Sequence, residues 1–207
     1  MRWYRCVAAS GEQWVEGLRR GDPDVFDEVY EAYRARLFGY LVRVTQRRTL
    51  AEDLLQETWL RAARSAGRLA PDSKLEPWLF RIAHNLFISH RRREALDRAR
   101  VTELHRSVVA PFSPTPFDTR QGTELQGRLE AAIARLDLRS REVLCLVAME
   151  GLTPAEAADV LRVSGASVRQ RLKRARDKLE RALTADERAA LGRAAGVGAR
   201  SPQGGST

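Results

Sequence analysis

Apolar residues recur every three to four positions through most of the chain, which is the spacing an amphipathic helix needs to bury one face. No run of alternating apolar and polar residues flanked by hairpin signals is found, so strands are not expected. The pattern predicts helices near residues 12–20, 23–46, 49–66 and 77–98.

A proline-rich segment interrupts this periodicity. Residues 99–123 include three prolines within six residues, a composition typical of a linker. Periodicity resumes at Glu124, and the Gly-, Ala- and Ser-rich end predicts a disordered tail. We therefore expect an all-α protein of two small helical domains joined by a flexible linker, with these parts: an N-terminal, partly helical extension 1–20, domains 21–98 and 124–184, and a tail 185–207.

The second domain contains the segment "LTPAEAADVLRVSGASVRQRLKRAR". Thr153 and Glu156 have the spacing of a capping box, and Pro154 suits the first turn of a helix. A turn at residues 162–164 leads to a second helix that begins at Ser164 or Gly165. These capping residues and the short turn between them predict a helix-turn-helix.

The second helix of this motif separates apolar from polar residues. Val168, Leu172, Ala175 and Leu179 form its inward stripe, while long donors fill the other face. A recognition helix in the DNA major groove needs this division. An ordinary basic surface helix is the alternative, but eight basic residues against two acidic ones over residues 162–181 favour DNA. The candidate DNA-binding residues are Arg169, Gln170, Arg171, Lys173 and Arg174.

The predicted helix 49–66 has an informative outer face. Its inward stripe is Ala51, Leu55, Thr58 and Ala62, with Leu54 and Trp59 at the edges. On the outer face, an apolar Leu60 is surrounded by polar side chains. Either this is one isolated exposed leucine, or it is the centre of a site that docks a partner helix. The candidate docking residues are Asp53, Gln56, Glu57 and Leu60.

The helix predicted at 77–98 carries a second unusual stripe. Opposite an apolar face of Leu79, Ile82, Ala83, Leu86 and Phe87, Trp78 lines up with Arg81, Asn85, Ser89 and Arg92. A tryptophan alone is more often a lid over the core. Together with an amide and several arginines, however, it can stack an unpaired base and bind the strand that carries it. The following segment, "HRRREALDRAR", contains five arginines that could bind the phosphates of a nucleic-acid strand.

Charge and composition narrow the classes of function. The net charge of +9 and a pI near 10.4 favour a polyanionic partner, although a GC-rich genome, which increases the arginine content of its proteins, could also produce them. Cys6 and Cys145 have no metal-ligand spacing, and the three histidines form no ligand set. No apolar run approaches a membrane span or a signal-peptide core. We expect a cytoplasmic protein that is not an enzyme and has no cofactor, metal or membrane insertion.

At this point the chain resembles a known family, the extracytoplasmic-function sigma factors of bacterial RNA polymerase, over roughly residues 20–98 and 124–183. "AEDLLQETWLRA" resembles the segment that binds the clamp helices of the largest polymerase subunit. "PWLFRIAHNLFISHRRR" resembles the segment that melts and reads the −10 element. The helix-turn-helix resembles the one that reads the −35 element.

The resemblance implies partners and site residues. The implied partners are core RNA polymerase and promoter DNA, and an anti-sigma factor is a candidate because many members are held inactive by one. The loop at residues 66–76 would help to hold a flipped base. Ser89 and Ala166 depart from the family pattern, which often has an acidic residue and a glycine there. The implied contacts are Asp53, Gln56, Glu57 and Leu60 to polymerase, Trp78, Arg81 and Asn85 to the −10 element, and Arg169, Gln170, Lys173 and Arg174 to the −35 element.

A second class of function fits part of the chain. A repressor or activator could bind duplex DNA through the helix-turn-helix and use its first domain for dimerisation or sensing. Such a regulator has no use for a Leu60-centred docking face or for a Trp78/Asn85 stacking stripe. Those two features favour the sigma factor.

Overall fold

The computed structural model describes residues 7–104 and 124–183, and every regular element in those ranges is a helix. A short 3₁₀ turn, Ala66–Arg68, follows the third helix, and a π-helical turn, Cys145–Met149, continues the sixth. The all-α fold class is confirmed. The helices are α1 (Val7–Arg20), α2 (Pro23–Thr45), α3 (Arg48–Ser65), α4 (Leu75–Leu104), α5 (Glu124–Ala134), α6 (Leu138–Leu144), α7 (Pro154–Leu161) and α8 (Gly165–Ala182).

Two helices are longer than the pattern predicted. The first begins at Val7 rather than near residue 12, and α4 continues to Leu104, which lies inside the segment assigned to the linker. The remainder of the predicted linker, 105–123, and the predicted tail, 185–207, lie outside the described residues.

Helices α1 to α4 form the first unit. Asp22 caps α2 by accepting a hydrogen bond from the backbone of Asp24 at 3.0 Å, and Pro23 occupies the first turn. Tyr40 of α2 and Phe80 of α4 are fully buried and meet edge to face in the centre. These contacts fix α4 in the unit, so the orientation of its outer residues is set by the core.

The inward stripe of α3 differs slightly from the prediction. Ala51, Thr58 and Ala62 are buried as expected, but Leu54 is buried while Leu55 is only half-buried. The reason is Trp59, whose ring packs against Phe26 and Tyr30 of α2 with centroids 5.9 and 4.9 Å apart. This contact rotates the buried face of α3 toward Leu54 and Trp59.

Helices α5 to α8 form the second unit, and its helix-turn-helix is built as the sequence predicted. The Thr153 hydroxyl accepts from the Glu156 backbone at 3.2 Å, and the Glu156 carboxylate accepts from the Thr153 backbone at 2.9 Å. Arg162 ends α7 in a left-handed conformation, φ 52°, and Ser164 caps α8. Val168, Leu172 and Ala175 of α8 are buried.

The two units pack against each other. Helix α7 lies along α4, and α6 with its π-helical turn lies against α2. The buried apolar residues of both units form one continuous cluster. The arrangement decides which of the candidate surfaces reach solvent.

Candidate nucleic-acid and polymerase interfaces

The outer face of α3 is an open surface. Asp53 and Gln56 are exposed, and Leu60 is 51% exposed, so the apolar side chain stands in water among polar neighbours. Glu57 is half-buried, and its carboxylate accepts from Arg61 at 2.9 Å. The four predicted docking residues therefore lie together on one accessible face, which we call the docking face.

The stripe on α4 is only partly open. Arg81, Ser89 and Arg92 are exposed, whereas Trp78 and Asn85 are half-buried. The ring of Trp78 packs against the edge of the core. We call Trp78, Arg81, Asn85 and Arg92 the α4 stripe. Its residues share a helix face, as predicted, but that face is not free along its whole length.

Helix α7 borders the beginning of the α4 stripe. A cleft of about 220 Å³ lies between the two helices, and its walls combine basic with acidic side chains. Lys74, just before α4, donates to the Glu156 carboxylate at 2.7 Å, which raises the pKa of the lysine. The lining residues are Ser73, Lys74, Pro77, Trp78 and Arg81 from the first unit and Glu156, Asp159 and Val160 from the second.

A buried polar group lies deeper between the units. The Tyr40 hydroxyl is 3.2 Å from Nδ1 of His84, and the same nitrogen is 3.8 Å from the Glu142 carboxylate. Burial raises the pKa of Glu142 to about 7, while burial and the charge of Arg162 lower the pKa of His84 to about 4. Burial therefore disfavours the charged form of both groups.

Two arginines of α2 connect the units, and the sequence analysis missed both. Arg36 donates to the Glu150 carboxylate at 3.1 Å and also contacts Glu76. Arg43 donates to both oxygens of Glu130, at 2.6 Å to the closer one. Their separation of seven residues places both on one face of α2. That spacing shows a shared helix face in the sequence, but it does not identify the partners Glu150 and Glu130.

Arg141 is a third arginine in this contact. It is buried, and it donates to the backbone oxygens of Ile133, Ala134 and Leu136 in its own unit. It also donates across the contact to the backbone oxygen of Arg43 at 3.2 Å. The guanidinium therefore satisfies buried carbonyls on both sides of the boundary.

The outer face of α8 is open, with one exception. Arg169, Gln170, Lys173 and Arg174 are exposed, and we call them the α8 face. Arg171 is half-buried, and its charge acts on Glu142, which places it toward α6 rather than among the other donors. Four of the five predicted residues thus share an accessible surface.

The described residues offer neither a metal cluster nor a membrane-spanning helix. Within residues 7–104 and 124–183 no group of three or more His, Cys, Asp or Glu side chains is arranged to hold a metal ion. Cys145 is fully buried, as predicted for a core residue, and burial raises the pKa of its thiol to about 12. None of the helices in these ranges has the length and apolar character to cross a membrane.

Comparison with known families decides the identity. The chain matches the family model for sigma-70 region 2 over residues 29–96 and the model for sigma-70 region 4 over residues 126–179. The protein is an extracytoplasmic-function sigma factor. It is 32% identical to the RNA polymerase sigma factor CarQ of Myxococcus xanthus, over 82% of this chain and 95% of that protein.

Two further comparisons agree. The sigma factor is 31% identical to the ECF RNA polymerase sigma factor SigM of Bacillus subtilis, over 74% of this chain and 92% of that protein. It has the fold of the sigma factor RpoE of Bartonella quintana, solved with the anti-sigma factor NepR, with a TM-score of 0.65 and 24% identity over 78% of this chain and 98% of that one.

The function follows from family membership. This sigma factor binds core RNA polymerase and directs it to promoters at transcription initiation, and it is not itself an enzyme. The expectation of a sigma factor, drawn from the sequence, is confirmed. A classical regulator without a polymerase partner is not supported.

Proposed function

We propose that three separate surfaces of this sigma factor divide the work of initiation. The observation that carries the proposal is the structure of the first unit, which presents an open Leu60-centred face on α3 and a tryptophan-amide-arginine row on α4. A duplex-binding protein needs neither. The first unit, residues 21–98, would act as region 2, and the second, residues 124–184, as region 4.

The docking face binds the clamp helices of the polymerase. Leu60 supplies the apolar centre, and Asp53 and Glu57 supply carboxylates that attract and orient a basic partner helix. A hydrophobic anchor ringed by polar groups is the usual composition of such a contact. Gln56 adds an amide that can donate and accept at the rim.

The α4 stripe binds the opened strand of the −10 element. Trp78 provides a ring on which an unpaired base can stack, and Asn85 provides an amide that can bond a base edge. Arg81 and Arg92 are exposed and can bind the phosphates of that strand. The loop at residues 66–76 precedes this stripe and would hold a flipped base.

The α8 face reads the −35 element in duplex form. Arg169, Gln170, Lys173 and Arg174 project from a helix whose other side is buried in its own unit, so the helix can enter a major groove as a rigid rod. Arg171 lies at the edge of this face and would contact the DNA backbone.

We also propose where the protein acts and which further partner it has. A protein that works on the chromosome and its polymerase acts in the cytoplasm. The RpoE structure contains an anti-sigma factor bound to a chain of the same fold. We therefore infer that an anti-sigma factor is a further partner of this protein.

Run-off transcription tests the proposal as a whole. Pooled fragments of the host genome would be transcribed by core polymerase with and without the protein. We expect discrete new start sites that depend on the protein and share −10 and −35 sequences. Binding to duplex DNA without any binding to core would contradict the proposal.

The docking face is tested by a matched pair of variants. Leu60→Asp should weaken core binding by about tenfold or more, because a buried anchor of a contact is worth about 2 kcal/mol or more and about 1.4 kcal/mol is tenfold. Leu96→Asp is the control, since Leu96 is also an exposed leucine, at 56%, but lies on α4. Equal losses in both variants would show that Leu60 is not part of a defined contact.

A further inference from the structure

We propose that Arg36 is a positioning residue for strand capture: its ion pair with Glu76 holds the beginning of α4 in the rotation that presents Trp78 to an unpaired base. This inference rests on the proposed function of the α4 stripe. It adds to that function a residue of α2 that need not contact the DNA itself.

The guanidinium of Arg36 has a defined place beside α4. It lies over the ring of Tyr33 at 5.3 Å from the centroid and over the ring of Phe80 at 5.8 Å. Phe80 is fully buried in the centre of the first unit. Contact with two rings restricts the planar group and directs its N–H donors. Arg36 can therefore act as a fixed point for a carboxylate on α4.

Glu76 supplies that carboxylate. It lies in the first turn of α4, and its side chain accepts a hydrogen bond from the Arg36 guanidinium. The Glu76 side chain is 28% exposed and that of Arg36 is 30% exposed. A partly buried ion pair of this kind is screened less by water and salt than a fully exposed pair. The contact therefore ties the beginning of α4 to α2.

The rotation of α4 connects this pair with Trp78. Glu76 and Phe80 are four residues apart, so they share the helix face that meets Arg36. Trp78 is two residues from Glu76, about 200° around the helix axis. With Glu76 held against α2, the first turn is kept from rotating and Trp78 stays in its half-buried position. A ring that is oriented before the base arrives loses less entropy when the base stacks.

The same pair fixes one end of the neighbouring loop. The loop at residues 66–76 would hold a flipped base, and Glu76 is its last residue. The backbone N–H of Trp78 donates to the backbone oxygen of Lys74 at 3.2 Å, which joins the end of the loop to the first turn of α4. Loop and ring therefore take their positions from one anchored turn.

Arg36 has a second carboxylate partner, which offers a comparison. It donates to the Glu150 carboxylate at 3.1 Å and to the Glu150 backbone oxygen at 2.7 Å, and Glu150 belongs to the second unit. Glu76 belongs to the same unit as Arg36, so their contact does not depend on the second unit. The two carboxylates can therefore be tested against each other.

Glu76→Gln tests the proposal, with Glu150→Gln as the matched control. Each variant neutralises one carboxylate partner of Arg36, but only Glu76 lies at the beginning of α4. The protein is the full chain bound to core polymerase, and core alone gives the background. Two fluorescein-labelled strands of about 12 nucleotides, a length within the usual site sizes of single-strand grooves, are compared by fluorescence anisotropy. One is a random-sequence pool, and the other has the same phosphates but only abasic sites.

The ratio of the two affinities, which we call the base preference, is the readout. We expect a base preference of about tenfold or more for wild type, the contribution of stacking one base, and of only about twofold for Glu76→Gln. The loss of a negative charge strengthens the binding of both strands alike, so it cancels in the ratio. Glu150→Gln should keep the wild-type base preference.

Circular dichroism shows whether each variant is folded. If Glu76→Gln does not fold, Glu76→Asp takes its place, because it keeps the charge but has a shorter side chain that draws the carboxylate away from Arg36. Its base preference should fall by about twofold or more, since a small displacement of a positioned group weakens the contact it supports.

Two results would overturn the proposal. A wild-type base preference in the folded Glu76 variant would show that the pair does not orient Trp78. Equal losses in Glu76→Gln and Glu150→Gln would show that Arg36 has a general structural role. Failure of the proposed function is distinguishable, because the wild-type complex would then bind the two strands equally.

Discussion

The α4 stripe and the α8 face are both rows of hydrogen-bond donors on basic helices, yet they meet different surroundings. The α4 stripe faces α7, which brings Glu156 and Asp159 to its border. The α8 face meets only solvent at its exposed donors. The two surfaces differ in composition, since only the α4 stripe contains a tryptophan, and they also differ in the element packed opposite.

The two units are therefore not interchangeable DNA-binding modules. The α8 face can read a duplex without any change in the protein. The α4 stripe, in the proposed function, binds an opened strand, and α7 borders its beginning.

The largest expected effect concerns the buried pair between α4 and α6. The pKa of Glu142 is raised to about 7, so its contribution to stability is present below the ordinary value of 4.5 and is lost as pH rises through 7. The pKa of His84 is lowered to about 4, so its contribution is present above 6.5 and is lost as pH falls toward 4. Between pH 4.5 and 6.5, a rise in pH reduces the contribution of Glu142 to stability and increases that of His84, so the two changes oppose each other.

Single variants should reveal how each group changes the free energy of unfolding with pH. Relative to wild type, the free energy of unfolding of Glu142→Gln should rise with pH over the window from 4.5 to 6.5, and that of His84→Gln should fall, each by about 3 kcal/mol. Urea unfolding at several pH values measures both. Parallel curves for the three proteins would show that the pair is not buried between the units.

Removing the ring from the α4 stripe should affect strand opening alone. Trp78→Ala should lose about 1 to 3 kcal/mol of strand binding, the value of stacking one base, and permanganate footprinting should detect no open complex. Duplex −35 binding should stay at the wild-type level, because the α8 face is untouched. Normal opening would identify Trp78 as a lid over the core and nothing more.

Removing one donor from the α8 face should affect duplex reading alone. Arg174→Ala should weaken −35 binding by about 1 to 3 kcal/mol if the guanidinium contacts a base edge. The loss should be concentrated on promoters with one particular base at that position, as measured by fluorescence anisotropy on a set of single-base variants. A uniform loss would assign Arg174 to a phosphate.

The smallest effect is expected from Lys173→Ala. A lysine that contacts a phosphate releases about one counterion, so the slope of log affinity against log salt should become shallower by about 1. Measurements at four or five salt concentrations give this slope directly. An unchanged slope with lost sequence preference would place Lys173 on a base edge.

Local patterns predicted the helices and the faces within them well. The capping box of Thr153 and Glu156 was visible in the sequence because both partners lie within one helical turn. The exposure of Leu60 followed from the period of α3. The prediction placed Leu55 in the inward stripe of α3, whereas Leu54 is the buried residue. The packing of Trp59 against α2 determines the rotation of α3, and this contact cannot be seen from periodicity.

The contact between the units could not be predicted in this way. Arg43 and Glu130 are 87 positions apart, and Arg36 and Glu150 are 114 apart, so no periodic pattern links them. From the sequence alone, a charged residue on a helix is expected to face solvent, because its partner is not known. The cleft that brings Glu156 and Asp159 beside Trp78 lies across the same boundary and could not be predicted for the same reason.

The buried position of Cys145 determines how reactive its thiol is. Its thiol is fully enclosed by the core, and with a pKa near 12 it stays protonated, whereas peroxides and disulfides react with the thiolate. Oxidants and thiol-reactive labels should therefore react slowly with Cys145, which can remain in place when surface cysteines are introduced for spectroscopic labels.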